Sequence, residues 1–282
     1  MRLIVESSST RTEWCLVEGT HVVVHAVTEG INPFFQTRRE ISRCIRLQLP
    51  SVFFKKKAEI IYFYGAGCTN PEKRNIIEAS LVAQFRAPVA AFSDLLGAAR
   101  GLFGDEPGIA CILGTGSNSC YYDGSVIKRN VKSLGYVLGD EGSGAILGKM
   151  FLGDCLKNIA PKELADAYYE SCQLSPDEMM SAVYNSPFPN RFLSKQSFFL
   201  KDYMDHPYVH QLLYNNFKSF FERCLFQYDY KDKPIRFVGS VAFTFAEVLK
   251  EVAVDEGVLI DVILDNSMAG IVDFHTQDCR LL

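Results

Sequence analysis

The sequence predicts a duplicated α/β fold in two lobes, and three observations predict it. Twice along the 282 residues, short apolar strands joined by polar turns give way to alternating helical and strand periodicities. The breaker Gly104-Asp105-Glu106-Pro107-Gly108 falls between the two runs. Each run also carries a turn of small residues inside its first hairpin, Ser7 to Thr12 in one and Gly114 to Asn118 in the other. The expected lobes are 1–105 and 106–282, each a mixed sheet flanked by helices. The second lobe holds a helical insertion at about 150–230, and the last helix could pack back on the first.

The elements follow in order. Residues 3–5 read as a short buried strand that turns through the hydroxyl-rich segment and returns over 13–17. Glu18-Gly19 turns the chain into a third strand over 22–27. Ile41, Cys44, Ile45 and Leu49 recur at helical spacing. A strand over 59–64 ends at Gly65-Ala66-Gly67, and a helix over about 72–86 follows, then a strand over 89–92. Ser93-Asp94 opens a helix over 95–103. The second run has strands over 109–113 and 119–122, and Asp123-Gly124, a strong hairpin signal, leads into 126–129. A helical region occupies about 142–230, with its clearest member marked by Val209, Leu212, Leu213, Phe217, Phe220, Phe221, Cys224, Leu225 and Tyr228. That 3.6-residue stripe is read as core. A strand over 235–238 meets Gly239-Ser240, and one helix with Val241, Phe245, Val248, Leu249 and Val252 inward comes next. A strand over 258–264 and a last helix near Ser267-Met268-Ala269 complete the chain.

With 48% hydrophobic and 22% charged residues, the chain can bury a sizeable core. A net charge of -4 shows no basic excess, so neither duplex nucleic acid nor an anionic membrane is expected as main partner. Lys55-Lys56-Lys57 is read as a solvated loop. Nine scattered cysteines without a CxxC pair argue against a disulfide framework and a zinc ribbon. The opening MRLIVESSS has too short an apolar run for a signal peptide, and no 18-residue apolar segment exists. The expectation is a soluble cytoplasmic protein.

The stretch Ser133 to Lys149 is unusually rich in glycine: Gly139, Gly142, Gly144 and Gly148, with Asp140 and Glu141 among them. It reads as an apolar strand giving way to a helix. Three glycines in the first turns of a helix cost about 1 kcal/mol each against alanine. Close backbone approach to a ligand would explain that loss, and a capped, glycine-rich turn would explain it equally well. Asp140 could cap the new helix or hold a cation through water. In open sheets, ligands bind at the carboxyl ends of the strands, and the turns 7–12 and 114–118 would face each other there as two jaws of donors around a phosphate.

Four segments carry a family resemblance: VESSSTRTE at 5–13, ILGTGSN at 112–118, LGDEGSG at 138–144 and FVGSVA at 237–242. In order and spacing they resemble the phosphate and adenosine elements of the acetate kinase–sugar kinase–Hsp70–actin superfamily. Within it, the chain is similar to the BadF/BadG-type ATPases, which include N-acetylglucosamine kinases. The resemblance implies a duplicated RNase H-like (actin-like ATPase) fold with nucleotide in the interlobe cleft. It implies ATP-dependent phosphoryl transfer to a hydroxyl of N-acetylglucosamine or a related hexosamine, with ATP and Mg2+ required. By position, Glu6 would contact magnesium, and Ser9, Thr10 and Arg11 the phosphates. Gly114, Thr115 and Gly116 would hold the β/γ-phosphates, and Gly239 and Ser240 the adenosine. Asp94 would be the general base, while Asn32, Asn118, Gly135 and Asp140 would bind the sugar, Asp140 also serving the metal. Read from the residues alone, Ser93-Asp94 is more readily explained as how helices begin, and the resemblance is what makes Asp94 a base. A base at a helix start is expected to have its pKa held down by the dipole. Two departures stand out: Ser7-Ser8-Ser9 replaces the glycines of many relatives, and Pro33 follows Asn32.

Other motifs fall short of known sites. Gly148-Lys149 lacks the first glycine and the Ser/Thr of a P-loop, and Gly114-Thr115-Gly116 lacks the third glycine of a dinucleotide fingerprint. His206 and His210 are spaced i, i+4 without a glutamate between them, so they are expected at the surface. Trp14 is expected to pack rather than stack on sugar. Two competing readings stand beside the kinase: a nucleotide-binding sensor or scaffold of the same fold, and an iron–sulfur ATPase of the dehydratase-activator type. Whether the protein forms a homodimer is left open.

Overall fold

The computed structural model describes residues 1–277. The chain forms two compact units. Met1–Gly108, Tyr122–Lys128 and the chain from Asn266 on make the first, and Ile109–Tyr121 with Arg129–Asp265 make the second.

The sheet of the first unit contains β1 (Arg2–Ser7), β2 (Arg11–Glu18), β3 (His21–Glu29), β4 (Ile60–Gly65) and β5 (Val89–Ser93), in the order β3-β2-β1-β4-β5. β1 pairs antiparallel with β2 and parallel with β4, which is parallel to β5. Leu3, Ile4 and Val5 are buried in succession because both faces of β1 are covered. Leu3, Val5, Trp14 and Leu16 pack under the helices Arg38–Gln48 and Pro71–Phe85 through Ile41, Ile45, Ile77 and Leu81. Ile4, Cys15, Val17 and Tyr64 pack on the opposite face against Met268, Ile271 and Val272 of the helix Met268–Thr276. Local signals start these helices where hydrogen-bonding chemistry requires. Thr37 and Glu40 form a capping box, Asn70 caps a helix with Pro71 at its first position, and Ser93 caps Asp94–Phe103. The last of these crosses Met268–Thr276 in close backbone contact at Gly101 and Gly270: a Cβ on Gly270 would lie 1.9 Å from the carbonyl oxygen of Gly101.

The other sheet contains β6 (Pro107–Leu113), β7 (Ser117–Asp123), β8 (Ile127–Val131), β9 (Ile235–Val238) and β10 (Ile260–Leu264), in the order β10-β9-β6-β7-β8. Read from the other edge, this is the order of the first sheet, and the turn 114–118 joins β6 to β7 as the turn 7–12 joins β1 to β2. Between β8 and β9 the chain is helical, and Val209, Leu213, Phe217, Phe220 and Phe221 of the helix Pro207–Arg223 are fully buried.

Three local expectations are corrected. Residues 133–139 are not a strand: they contain the one-turn helix Gly135–Leu138, which β propensity in Leu134, Tyr136 and Val137 obscures. The single helix expected over 241–252 is two, Ser240–Thr244 and Ala246–Asp255. The break falls at Phe245, whose backbone leaves the helical region (φ -110°, ψ 32°) while its ring is fully buried. The stripe through Tyr228 ends as α-helix at Arg223 and continues as a 3-10 turn, Leu225–Gln227. No described helix is long and apolar enough to cross a membrane.

Candidate active site

In the first unit, the parallel strands β1, β4 and β5 bring their carboxyl ends together. Glu6 is in register with Tyr64, and Gly65 with Ser93, so Glu6, the Gly65-Ala66-Gly67 turn and Asp94 share one end of the sheet. This is where an open α/β sheet binds ligands.

The serine turn is closed from within. The Ser8 amide donates to Arg11 O (2.9 Å), and Ser8 Oγ accepts from the amides of Thr10 (3.4 Å) and Arg11 (3.2 Å). The serine that replaces a glycine here therefore supplies an oxygen to two amides expected to face phosphate. Buried Ser7 ties the turn to the following segment: its Oγ lies 2.7 Å from Thr12 Oγ1, accepts from Ile31 N (2.9 Å) and donates to Ile31 O (3.1 Å). Gly30 fits only as glycine, since a Cβ there would lie 2.5 Å from Ser9 O. The Arg11 guanidinium reaches back to Glu13 (2.8 Å).

Asn32 is buried at the end of β4, close enough to Gly67 that a Cβ on that glycine would lie 2.3 Å from Asn32 Oδ1. Its Oδ1 accepts from Phe34 N (2.9 Å) and its amide donates to Gln36 Oε1 (2.8 Å). The Nδ2 group has no partner among the described residues and remains a donor for a ligand.

Both acids at this end of the sheet are unusually basic. Burial pushes the Glu6 carboxyl up to about 7, with Glu13 and Asp94 adding to the rise and the hydroxyl of Ser267, which donates to Glu6 Oε1, opposing it. Asp94 stands first in its helix behind the Ser93 cap, and its Oδ1 accepts from Leu95 N (2.9 Å). Burial outweighs these backbone bonds, so the Asp94 carboxyl is raised, not held down by the helix dipole as its position suggests. Desolvation wins over a dipole effect that is worth at most about 2 kcal/mol.

The second unit gathers the turn 114–118, Asp140 and Gly239. Asp140 Oδ1 accepts from Ser117 N (3.3 Å), and a Cβ on Gly116 would lie 3.0 Å from Asp140 Oδ2. Burial pushes the Asp140 carboxyl up to about 6. Gly239, at φ +125°, leaves room for Leu113 O, which a Cβ would approach to 2.4 Å, and Ser240 opens the next helix. The carbonyls of Gly114 and Thr115 accept from Gly144 N and Ala145 N (2.8 and 3.1 Å), tying the turn to the glycine-rich helix. Asn118 Oδ1 accepts from Ser119 N and Asn130 Nδ2 (3.0 and 2.8 Å). Gly135 (φ +75°) has open space on its Cβ side.

The glycine-rich stretch departs from expectation. Ser143, not Asp140, caps the helix Gly144–Leu156, through Ile146 N (3.2 Å), because Asp140 has turned into the left-handed region (φ 58°) beneath Ser117. Close ligand approach does not explain Gly144 and Gly148. Cβ atoms there would lie 2.5 Å from Ser194 Oγ and 1.9 Å from Leu193 O, so these glycines admit the helix Pro189–Ser197. Asn216, unremarked in the sequence, pins the turn: its Oδ1 accepts from Gly142 N (3.0 Å) and its Nδ2 donates to Ser143 O (3.2 Å). Its signal is a lone amide between Leu213 and Phe217 in an otherwise apolar stripe.

The residues set aside in the sequence have structural roles. Trp14 is fully buried and donates to Thr28 Oγ1 (2.9 Å). His206 caps its helix at Tyr208 N (3.2 Å), and His210 meets Glu251 (2.8 Å). Lys149 donates to Tyr136 O (3.0 Å).

Carboxylates that desolvation raises toward neutrality are what a hard divalent cation would relieve, so half-buried Glu6 and buried Asp140 suit magnesium chemically. The sign of the pH effect follows. From ordinary values of 4.5 and 3.8, the folded carboxyls rise to about 7 and about 6, so the folded chain retains protons that the unfolded chain releases. Their stabilising contribution is full below about 4 and is lost as pH rises through 6 and 7. In EDTA the Tm is expected to fall by on the order of 5 °C between about pH 5.5 and pH 8. Magnesium should restore more at the higher pH; equal stabilisation at both would contradict the assignment.

Comparison with known proteins places this geometry. No family model matches the chain, and no curated protein matches it. A solved structure from Porphyromonas gingivalis, described as a candidate N-acetylglucosamine kinase, is 42% identical over 99% of each chain, with a TM-score of 0.93. A candidate N-acetylglucosamine kinase from Chromobacterium violaceum is 17% identical, covering 97% of this chain and 98% of its own, with a TM-score of 0.73. A ROK family glucokinase from Streptomyces griseus, solved with glucose and AMPPNP, shares the fold at 13% identity and a TM-score of 0.57, covering 99% of this chain and 100% of its own.

Proposed function

Because the chain belongs to the N-acetylglucosamine kinase-like branch of the BadF/BadG-type ATPases, with their actin-like fold, we propose that it is an ATP-dependent sugar kinase acting on N-acetylglucosamine or a related hexosamine. The observation that carries the reading is Asp94: a half-buried carboxyl, raised by desolvation, at the carboxyl end of a parallel strand, one oxygen held by Leu95 N and the other available. In the proposed reaction Asp94 accepts the proton of the sugar hydroxyl as its oxygen attacks the γ-phosphorus, and ADP leaves. A loose phosphoryl transition state asks for the proton late, and a raised carboxyl receives it readily. The reading assigns Asn32 of the first unit, through its Nδ2, to the sugar, and Asn118, Gly135 and Asp140 of the second unit likewise. In the first unit this reading assigns Ser9, Thr10 and Arg11 to phosphate; in the second it assigns Gly114, Thr115 and Gly116 to phosphate and Gly239 and Ser240 to the adenosine. Magnesium, when bound, neutralises phosphoryl charge, and Glu6 and Asp140 are the carboxylates suited to hold it.

A second reading has one observation in its favour. Ser8 Oγ already satisfies the amides of Thr10 and Arg11, which fits a turn with reduced phosphate affinity and a nucleotide-binding protein without phosphotransfer. The dehydratase-activator reading needs accessible paired cysteines, whereas among the described residues only Cys44 and Cys172 are even partly exposed.

The test is a coupled ADP-release assay with MgATP against N-acetylglucosamine, N-acetylmannosamine, glucosamine, glucose and buffer. Turnover with an N-acetylated hexosamine well above buffer is expected. ATP binding with no sugar-stimulated release would favour the second reading.

A further inference from the structure

Beside the proposed reaction centre, β2 and β3 put three metal-ligating side chains on one face. Glu13 and Cys15 are two residues apart on β2 and so point to the same side. Cys15 is the register partner of His25 on β3, and partners across an antiparallel pair have Cβ atoms about 5 Å apart. An i, i+2 pair with a cross-strand third residue lets a ribbon present three ligands to one ion. Here the Sγ, carboxylate and imidazole atoms all lie within 4.8 Å of one another, and Glu13 Oε1 is 3.0 Å from His25 Nε2. We propose that Glu13, Cys15 and His25 bind a divalent transition ion of the zinc type, with a fourth position left for water. This goes beyond the kinase reading and does not depend on it.

The geometry is close to what the ion requires. Tetrahedral zinc, with ligands at about 2.0–2.3 Å, separates its donor atoms by roughly 3.5 Å, so the widest separation in the triad must close by about 1 Å while the 3.0 Å Glu13–His25 pair opens slightly. Exposure is graded: the His25 side chain is 50% exposed, Glu13 14%, and Cys15 is buried, so an ion arriving from solvent meets imidazole first and sulfur last. The Cys15 thiol makes no hydrogen bond among the described residues, which leaves it without another polar role. Burial and the carboxylates of Glu13 and Glu6 push that thiol up to about 12, and a dication would compensate those same charges. The donor set of sulfur, nitrogen and oxygen selects against magnesium, whose ligands are all oxygen. Arg11 on the second Glu13 oxygen (2.8 Å) orients the carboxylate from outside the triad. Since Arg11 also belongs to the serine turn, an ion on Glu13 would alter the partner that holds this arginine.

The experiment uses the full chain without nucleotide or sugar, so its outcome is separate from that of the kinase assay. Zinc is titrated calorimetrically, and cobalt is added as a spectroscopic probe. The expected result is one ion per chain, with sulfur-to-cobalt charge transfer and the intense visible bands of tetrahedral cobalt. Cys15→Ser should abolish the charge-transfer band. His25→Gln, at a half-exposed position where folding is not at risk, should weaken zinc binding by at least about 10-fold, the loss that even an outer-shell partner costs. Cys44→Ser should change neither. Zinc binding that is unaffected by His25→Gln, or cobalt spectra without sulfur character in the wild type, would overturn the proposal.

Discussion

Replacing Asp94 with asparagine is expected to lower sugar-dependent ADP release by roughly 100- to 10,000-fold, the range that a positioned general base contributes. The substitution keeps the side chain's shape and its acceptor oxygen for Leu95 N, so the helix start survives. What it removes is the capacity to accept a proton. The loss should therefore fall on kcat, with ATP affinity changed only a few-fold. Ser93→Ala separates this role from capping. It deletes the hydroxyl that accepts from Leu96 N (3.2 Å) and should cost about 1 kcal/mol of stability while turnover persists. If Asp94→Asn retained wild-type turnover and Ser93→Ala lost it, Asp94 would be a helix-start residue and nothing more.

The second large effect is structural. Gly270→Val is expected to destabilise the protein by about 3 kcal/mol and to lower activity along with it. A Cβ at 270 would lie 1.9 Å from Gly101 O, a backbone atom that cannot rotate aside, so the helix Met268–Thr276 must lift from Asp94–Phe103. The same helix begins beside Ser267, whose hydroxyl donates to Glu6, and it covers Ile4, Cys15 and Tyr64 through Met268 and Ile271. Lifting it would expose the apolar face of the sheet and remove the donor that opposes the rise of the Glu6 carboxyl. Thermal denaturation of the variant measures the first consequence. A Tm within about 1 °C of wild type would show that the crossing tolerates a side chain.

Much of this was legible in the residues. Apolar runs and the turn signals that bound them placed the ten strands of the described residues within a few residues of where they lie, although β3 and β8 are largely exposed. Ser93-Asp94 and the turns 7–12 and 114–118 stand where hairpin and capping chemistry put them. The ordered family motifs added the nucleotide and the sugar, which no composition or spacing could have named.

The errors have a common cause. The glycines at 144 and 148 read as either a ligand approach or a capped turn, because sequence shows that a side chain is missing but not what fills its place; the occupants, Ser194 Oγ and Leu193 O, lie some fifty residues further along. Of the two roles open to Asp140, cap and cation ligand, the cap falls to Ser143, because the Asp140 carboxylate is drawn beneath Ser117, 23 residues away. Asp94 read as an acidic group held down by a dipole, whereas desolvation in the folded chain raises it. The sequence by itself determined the elements, their order and their chemistry, because propensity, capping and periodicity act within a few residues. Only the tertiary structure decided which acids are desolvated, which glycines admit a neighbouring chain, and that Glu13, Cys15 and His25 converge, because burial and cross-strand register are set by residues far apart in the chain.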